Sequence, residues 1–548
     1  MILRRLYLYL VSASALVLLA VGLTLLGSTV LLFVFNDPTA DSSRSQLAIF
    51  TAMTIVAAPV WGVHFWFARR FALRDPYERS SALRRLYLYW ACLTFSIAAM
   101  IALGQAIGQF LLPVLDAQTF NSLGAAQATW AAIVFVAIFG FHFWTASVDR
   151  KAAGEEGASA TLRRWYMYPA LLAGLLTMLV TGATVFQIAW TNLALGSTQK
   201  YAYLSWPAGL TISAALLWGF HARAIATNHI ADDRHSTLRA LEGFLTVAIS
   251  MAAALVGASQ ILYYALARVL GVSNPGGASD NVLAAAAAPG SQLLVFGVAW
   301  FLIQRRLTRD AASQEADRQA GVRRLYTNLA SLVSLAVWSV GAAALLWTLA
   351  EQLEAPIIGV QAGDWKNPVS LWVTLLIVGA VVWVAHWRPA PWAADRQSLS
   401  RKLYVWAALL GSILAVLAGG VGMINAVLQQ LFSAHPTLAS TSNLDFGHYL
   451  AVIMVAAGVG IYHWRVLRAD AAARPARHAD VVTTKPVAVA APNAPQAPAS
   501  VETLNPHSRR YSLVVTDATD DDVHQALASL PPQASYKLTP TEQAVDGH

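Results

Sequence analysis

Five histidines are the residues in this chain whose type and spacing could do chemistry: His64, His142, His221, His386 and His463. Each sits near the end of an apolar run beside aromatic or basic neighbours, as in Val63-His64-Phe65-Trp66, Phe141-His142-Phe143-Trp144 and Tyr462-His463-Trp464-Arg465. Imidazole ligates haem iron and transition metals, so two such residues on neighbouring helices are candidates for a cofactor site. It also titrates near neutrality, which suits a pH sensor. The plain alternative is an interfacial histidine that hydrogen-bonds a neighbouring helix end. Against ligation, one copy of the pattern carries Ala299 where the histidine should be, and no acidic residue recurs beside the others to orient the ring. The expectation is therefore no cofactor and no metal site, with haem left open.

A second recurring group is basic and aromatic. Arg4-Arg5-Leu6-Tyr7-Leu8-Tyr9 returns as Arg84-Arg85-Leu86-Tyr87-Leu88-Tyr89 and as Arg163-Arg164-Trp165-Tyr166-Met167-Tyr168. Shorter forms are Arg323-Arg324-Leu325-Tyr326 and Arg401-Lys402-Leu403-Tyr404. Basic side chains at a span's end snorkel to lipid headgroups, and tyrosines hold their ring in and their hydroxyl wet. Arg4, Arg5, Arg84, Arg85, Arg163, Arg164, Arg323, Arg324, Arg401 and Lys402 are thus candidate contacts to anionic headgroups, the partner expected besides the bilayer itself.

The elements that must position these groups follow from the period, about eighty residues, which marks a tandem array. Of 548 residues, 57% are hydrophobic and 12% charged, and the mean hydropathy is +0.51. Soluble domains carry roughly twice that share of charge. Apolar runs near twenty residues fit helices that cross a bilayer. The fold class expected is an all-α polytopic membrane protein: twelve transmembrane helices as six two-helix repeats, plus a small cytoplasmic βαβ-like tail. The repeats fall at 1–80, 81–158, 159–234, 235–318, 319–396 and 397–468. The fourth is divergent, with Glu242 at the tyrosine position. An Ala/Pro-rich linker at 469–508 leads to the tail at 509–548, where Tyr511–Val515 and Tyr536–Leu538 read as strands flanking a helix that Thr519 caps.

Arginines gather in the turns between repeats and are few in the loops inside them. The positive-inside rule then puts the basic side and both termini in the cytoplasm of a bacterium, with the protein in its inner membrane. Because the arginine-tyrosine head recurs deep in the chain, the first run reads as a retained span and not an export signal. The single cysteine, Cys92, excludes an internal disulfide. Small residues at equivalent positions of the odd spans, Gly22, Ala102, Thr181, Gly257, Gly341 and Gly419, suit close helix contacts.

No acidic or basic residue lies deep in a span, although proton relays and ion pathways generally need one. Two-span repeats share one orientation, whereas inverted repeats need an odd number of spans. No phosphate loop, zinc motif or nucleophile elbow is present. The leading reading is a non-enzymatic scaffold or sensory protein whose tail meets an unidentified cytoplasmic partner, with no nucleic acid involved. A transporter or channel is the alternative, and a haem-binding redox protein the second.

The arginine-tyrosine head, paired with a second span that ends in histidine and an aromatic, resembles the bacterial membrane family known as domain of unknown function 5671. The resemblance spans roughly residues 4–468 as tandem copies. It implies a multi-span membrane domain without an assigned activity, and supplies no catalytic residues.

Overall fold

A computed structural model describes residues 2–472, apart from 117, 197–202, 230–232, 234–235, 278–279, 313–316, 359–360, 362, 388–395, 397 and 433–445. The chain divides at Pro475 into two units, and the described residues all fall in the first. Among them are twelve long helices. They are α1 (Ile2–Val34), α2 (Arg44–Arg74), α3 (Ala82–Leu115), α4 (Ser122–Ala153), α5 (Gly157–Leu195) and α6 (Ser205–Asn228). The second half supplies α7 (Thr237–Val269), α8 (Ala287–Ala312), α9 (Asp317–Ile358), α10 (Lys366–His386), α11 (Leu399–Phe432) and α12 (Phe446–Ala472).

Local signals account for several boundaries. Ser81, Asn121 and Ser236 stand just before α3, α4 and α7 and accept from the Arg84, Gly124 and Arg239 amides, each satisfying one of the orphan donors of a first turn. Helix α4 stops at Gly154, whose φ of 69° suits glycine. The start of α6 is capped from a distance: Asp116, at the end of α3, accepts from the Leu204 and Ser205 amides at 2.9 and 3.0 Å and from the Ser205 hydroxyl at 2.5 Å.

Two expectations are corrected. Eleven of the twelve long helices are long and apolar enough to cross a membrane. The one that is not is α6, whose apolar run is broken by Thr211, Ser213, His221 and Arg223. The βαβ-like tail is the second. Every long element is a helix and no strand occurs among the described residues. The strand readings rested on apolar runs of three to five residues, too short to decide secondary structure by periodicity. Residues 509–548 themselves lie outside the described residues.

The helices pair as six hairpins, α1 with α2 through α11 with α12, and the hairpins pack in chain order. The first helix of each touches both helices of the next: α1 meets α3 and α4, α3 meets α5 and α6, α5 meets α7 and α8, α7 meets α9 and α10, and α9 meets α11 and α12. One docking geometry is thus used five times, as in a solenoid.

Within hairpins the small residues bring backbones together. A Cβ added to Gly257 would lie 2.5 Å from the Pro289 carbonyl oxygen, and one added to Gly341 would lie 2.6 Å from the Leu376 nitrogen. Lipid supplies no hydrophobic drive between helices, so this close packing carries much of the association. Replacing Gly341 with valine should cost about 1–3 kcal/mol through overpacking, read as a lower midpoint of unfolding in detergent. Gly411→Val, where a side chain would meet open space, should change it little.

Candidate functional site

All five recurring histidines have the same two bonds. The Nδ1 atom lies 2.7–2.9 Å from the carbonyl oxygen four residues earlier, at Val60, Ile138, Leu217, Val382 and Val459 respectively. The Nε2 atom lies beside the first tyrosine of the head in the same hairpin: Tyr7 at 3.2 Å from His64, Tyr87 at 3.1 Å from His142, Tyr166 at 2.8 Å from His221, Tyr326 at 3.3 Å from His386 and Tyr404 at 2.9 Å from His463. A carbonyl only accepts, so Nδ1 carries the hydrogen; in the neutral ring Nε2 then accepts, and the tyrosine hydroxyl donates. The helix thus fixes the tautomer, and the tautomer selects a hydroxyl donor. His142, His221 and His463 are at most 1% exposed.

Aromatic residues enclose these pairs. Trp61 and Phe65 of the first hairpin lie 6.2 and 6.0 Å from His142 between ring centroids, and the Trp61 indole donates to the Tyr87 hydroxyl at 3.0 Å. The sixth hairpin repeats this, with the Trp383 indole donating to Tyr404 at 3.0 Å. The residue two places after the first tyrosine reaches forward and meets the next hairpin's tyrosine. Tyr9 lies 5.6 Å from Tyr87, Tyr89 stacks 5.8 Å from Tyr166, and Phe244 lies 5.8 Å from Tyr326. The two aromatics of the head therefore divide the work: the first closes its own hairpin, and the second joins it to the next.

The arginines are largely spent inside the protein. Arg84 is 1% exposed and donates to Asp149 at 2.6 Å. Arg163 pairs with Glu155 at 2.8 Å and Asp233 at 2.9 Å, and Arg164 shares Asp233 at 2.7 Å. Arg401 pairs with Asp470 at 2.7 Å, and Arg4 and Arg5 share Glu78 at 2.6 and 2.8 Å. Arg85, fully buried, donates to the carbonyl of Ala146 within α4 and to that of Gly154 just past its end. Second tyrosines join the same network. Tyr9 accepts from Arg84 at 3.4 Å, Tyr89 donates to Glu155, and Tyr168 donates to Asp233 at 3.1 Å. Arg323 and Lys402 stay exposed, while Arg324 is half-buried.

Sequence reasoning missed the acids. A signal existed, since Asp149 and Asp470 each follow their histidine by seven residues, two turns along the same helix face. In the divergent fourth hairpin the position seven residues after Ala299 is Arg306, and it pairs at 3.0 Å with Glu242, which holds the tyrosine's place. There an ion pair of reversed polarity stands in for both interactions. Among the described residues no three or more His, Cys, Asp or Glu are grouped to hold a metal ion.

Residues 5–132 and 324–458 match the family model of a domain of unknown function, DUF5671. The two matches are consistent with tandem copies of such a domain. No curated protein and no solved structure matches the chain. The two DUF5671 segments correspond structurally: each opens on the head of one hairpin and runs into the next, and each contains an indole-to-tyrosine bond, Trp61 to Tyr87 or Trp383 to Tyr404.

Two measurements probe this arrangement. A double-mutant cycle with Tyr404→Phe and His463→Phe should give a coupling of about 0.6–1.7 kcal/mol, the range of hydrogen bonds between helices in membranes. Asp149→Leu alone should cost about 3–5 kcal/mol by stranding a buried guanidinium, and adding Arg84→Met should recover most of it. A pH effect is expected beyond the end of α6. Burial, helped by the positive charges of Arg163 and Arg150, pushes His229 down to about 4 from 6.5, with Asp233 opposing. The folded protein then leaves this ring neutral where the unfolded chain protonates it. Its contribution is full above pH 6.5 and is lost as pH falls from 6.5 towards 4. His229→Asn should flatten that slope in pH-dependent thermal melts.

Proposed function

We propose that this multi-pass DUF5671 protein is a non-catalytic scaffold or sensory protein of a bacterial inner membrane, its arginine-rich end and both termini cytoplasmic. The observation that carries the reading is the use of every recurring histidine, and of most recurring arginines, by neighbouring side chains and backbone. Each histidine has both ring nitrogens occupied, one by its own helix and one by a tyrosine. A metal or haem iron could reach Nε2 only by displacing that hydroxyl, and at His142 it would also have to displace the rings of Trp61 and Phe65. The buried arginines likewise face protein groups: Arg84, Arg163 and Arg401 carboxylates, and Arg85 backbone carbonyls. Contact with anionic headgroups falls in this reading to the exposed basic side chains of Arg4, Arg323 and Lys402. The segment after residue 472 supplies the element that meets a cytoplasmic partner.

The test is an absorption spectrum of the gently purified protein, taken with thermal melts. The expected result is a spectrum of tyrosine and tryptophan alone, with His142→Phe lowering the midpoint of unfolding. A Soret band that disappears in His64→Phe or His142→Phe would replace this reading with a redox one. Solute flux in proteoliposomes above that of empty vesicles would replace it with a transport one.

A further inference from the structure

The five internal joints share one pattern of helix packing, and among the described residues the two ends of the array leave its two halves uncovered. We infer that the last hairpin of one chain docks on the first hairpin of a second copy, head to tail, through the same aromatic contact that joins successive hairpins.

The exposures at matched positions carry the argument. The forward-reaching aromatic is buried or half-buried where a following hairpin covers it: Tyr9 is 6% exposed, Tyr89 3% and Tyr168 2%, and Phe244 is half-buried. Its counterpart in the sixth hairpin is Trp406, two places after Tyr404, and it is 58% exposed. The receiving side shows the reverse pattern. Tyr87, Tyr166 and Tyr404, each preceded by a hairpin, are 2–4% exposed and Tyr326 is half-buried, whereas Tyr7 is 58% exposed. Trp406 and Tyr7 therefore do not cover each other within one chain.

Around Trp406 the outer face of α11 continues as Leu410, Ile413 and Leu417, all more than half exposed. Around Tyr7 stand Leu3 and Leu10, at 80% and 62%. These are the donor and acceptor surfaces of an aromatic contact the molecule already makes three times, at joints of the helix packing it repeats five times, so a second copy is the partner whose shape and chemistry are already present. Such a contact is heterologous. Depending on the rotation between copies, it closes into a ring or extends as a chain. It does not depend on the functional reading above.

Cross-linking in intact membranes tests it. Two differently tagged full-length chains, one with Tyr7→Cys and one with Trp406→Cys, are co-expressed and treated with a short bifunctional thiol reagent. Native Cys92 is fully buried and gives little background. The expected product joins the two tags, several-fold above a control that pairs Tyr7→Cys with Ile133→Cys, an exposed position on α4. Leu3→Cys with Leu403→Cys repeats the test without touching either central ring. Native mass spectrometry of the unsubstituted chain should show species above the monomer that Trp406→Ala depletes. Products joining only like with like, or a monomer throughout, would overturn the inference and leave lipid as the cover of both faces.

Discussion

A buried hydroxyl and a buried imidazole near the end of a lipid-embedded helix each need a partner, because hydrocarbon offers none. The hairpins meet that constraint with one device. The helix carbonyl at the fourth preceding residue takes the Nδ1 hydrogen, which leaves Nε2 as an acceptor, and the tyrosine of the facing helix supplies the donor. The bond works only when the two helices sit at one register and one rotation, so it specifies a geometry that apolar packing alone would leave loose. The glycine contacts set how closely two backbones approach, and the tyrosine-histidine pair sets where along them they stop.

The fourth hairpin shows what that register requires chemically. It lacks both tyrosine and histidine, yet keeps a polar link at the same level through Glu242 and Arg306. The neutral pair is exchanged for a charged one, with the acid now on the first helix and the base on the second. In the second and sixth hairpins the order is reversed, base first and acid second. What persists across hairpins is therefore a polar clasp near the arginine-rich end, more than any one residue.

Much of this was legible in the sequence, and the limits have physical causes. The hairpin period, the worn fourth copy and the small residues at helix contacts all follow from side-chain type at fixed spacing, which is what a tandem array displays. Contacts that cross between elements were not legible. Spacing puts His142 and Asp149 on one face of α4, but it does not say that Tyr87 and Arg84 approach that face. The arginines show the same limit. Composition cannot separate a guanidinium bound for headgroups from one held by a carboxylate two turns beyond a histidine, and Arg84 proves to be the second kind. The span count slipped at α6, where Thr211, Ser213 and His221 read as part of an ordinary apolar run.

Repetition also explains why function is harder to read here than fold. Each recurring polar residue has a structural task that recurs with it, so recurrence, normally a pointer to a site, points instead to the joint between hairpins. Departures from the repeat carry more information about what distinguishes one part of the protein from another. The buried cluster of Arg163, Arg164, Glu155 and Asp233 is one, because two arginines converge there on a single carboxylate fully removed from solvent. The charged clasp of the fourth hairpin follows it directly in the chain. The middle of the array is thus its most highly charged joint, and it lies between the two segments that match the DUF5671 model. The outer segments match one family model, and of the hairpins between them the fourth departs most, exchanging the tyrosine-histidine pair for an ion pair.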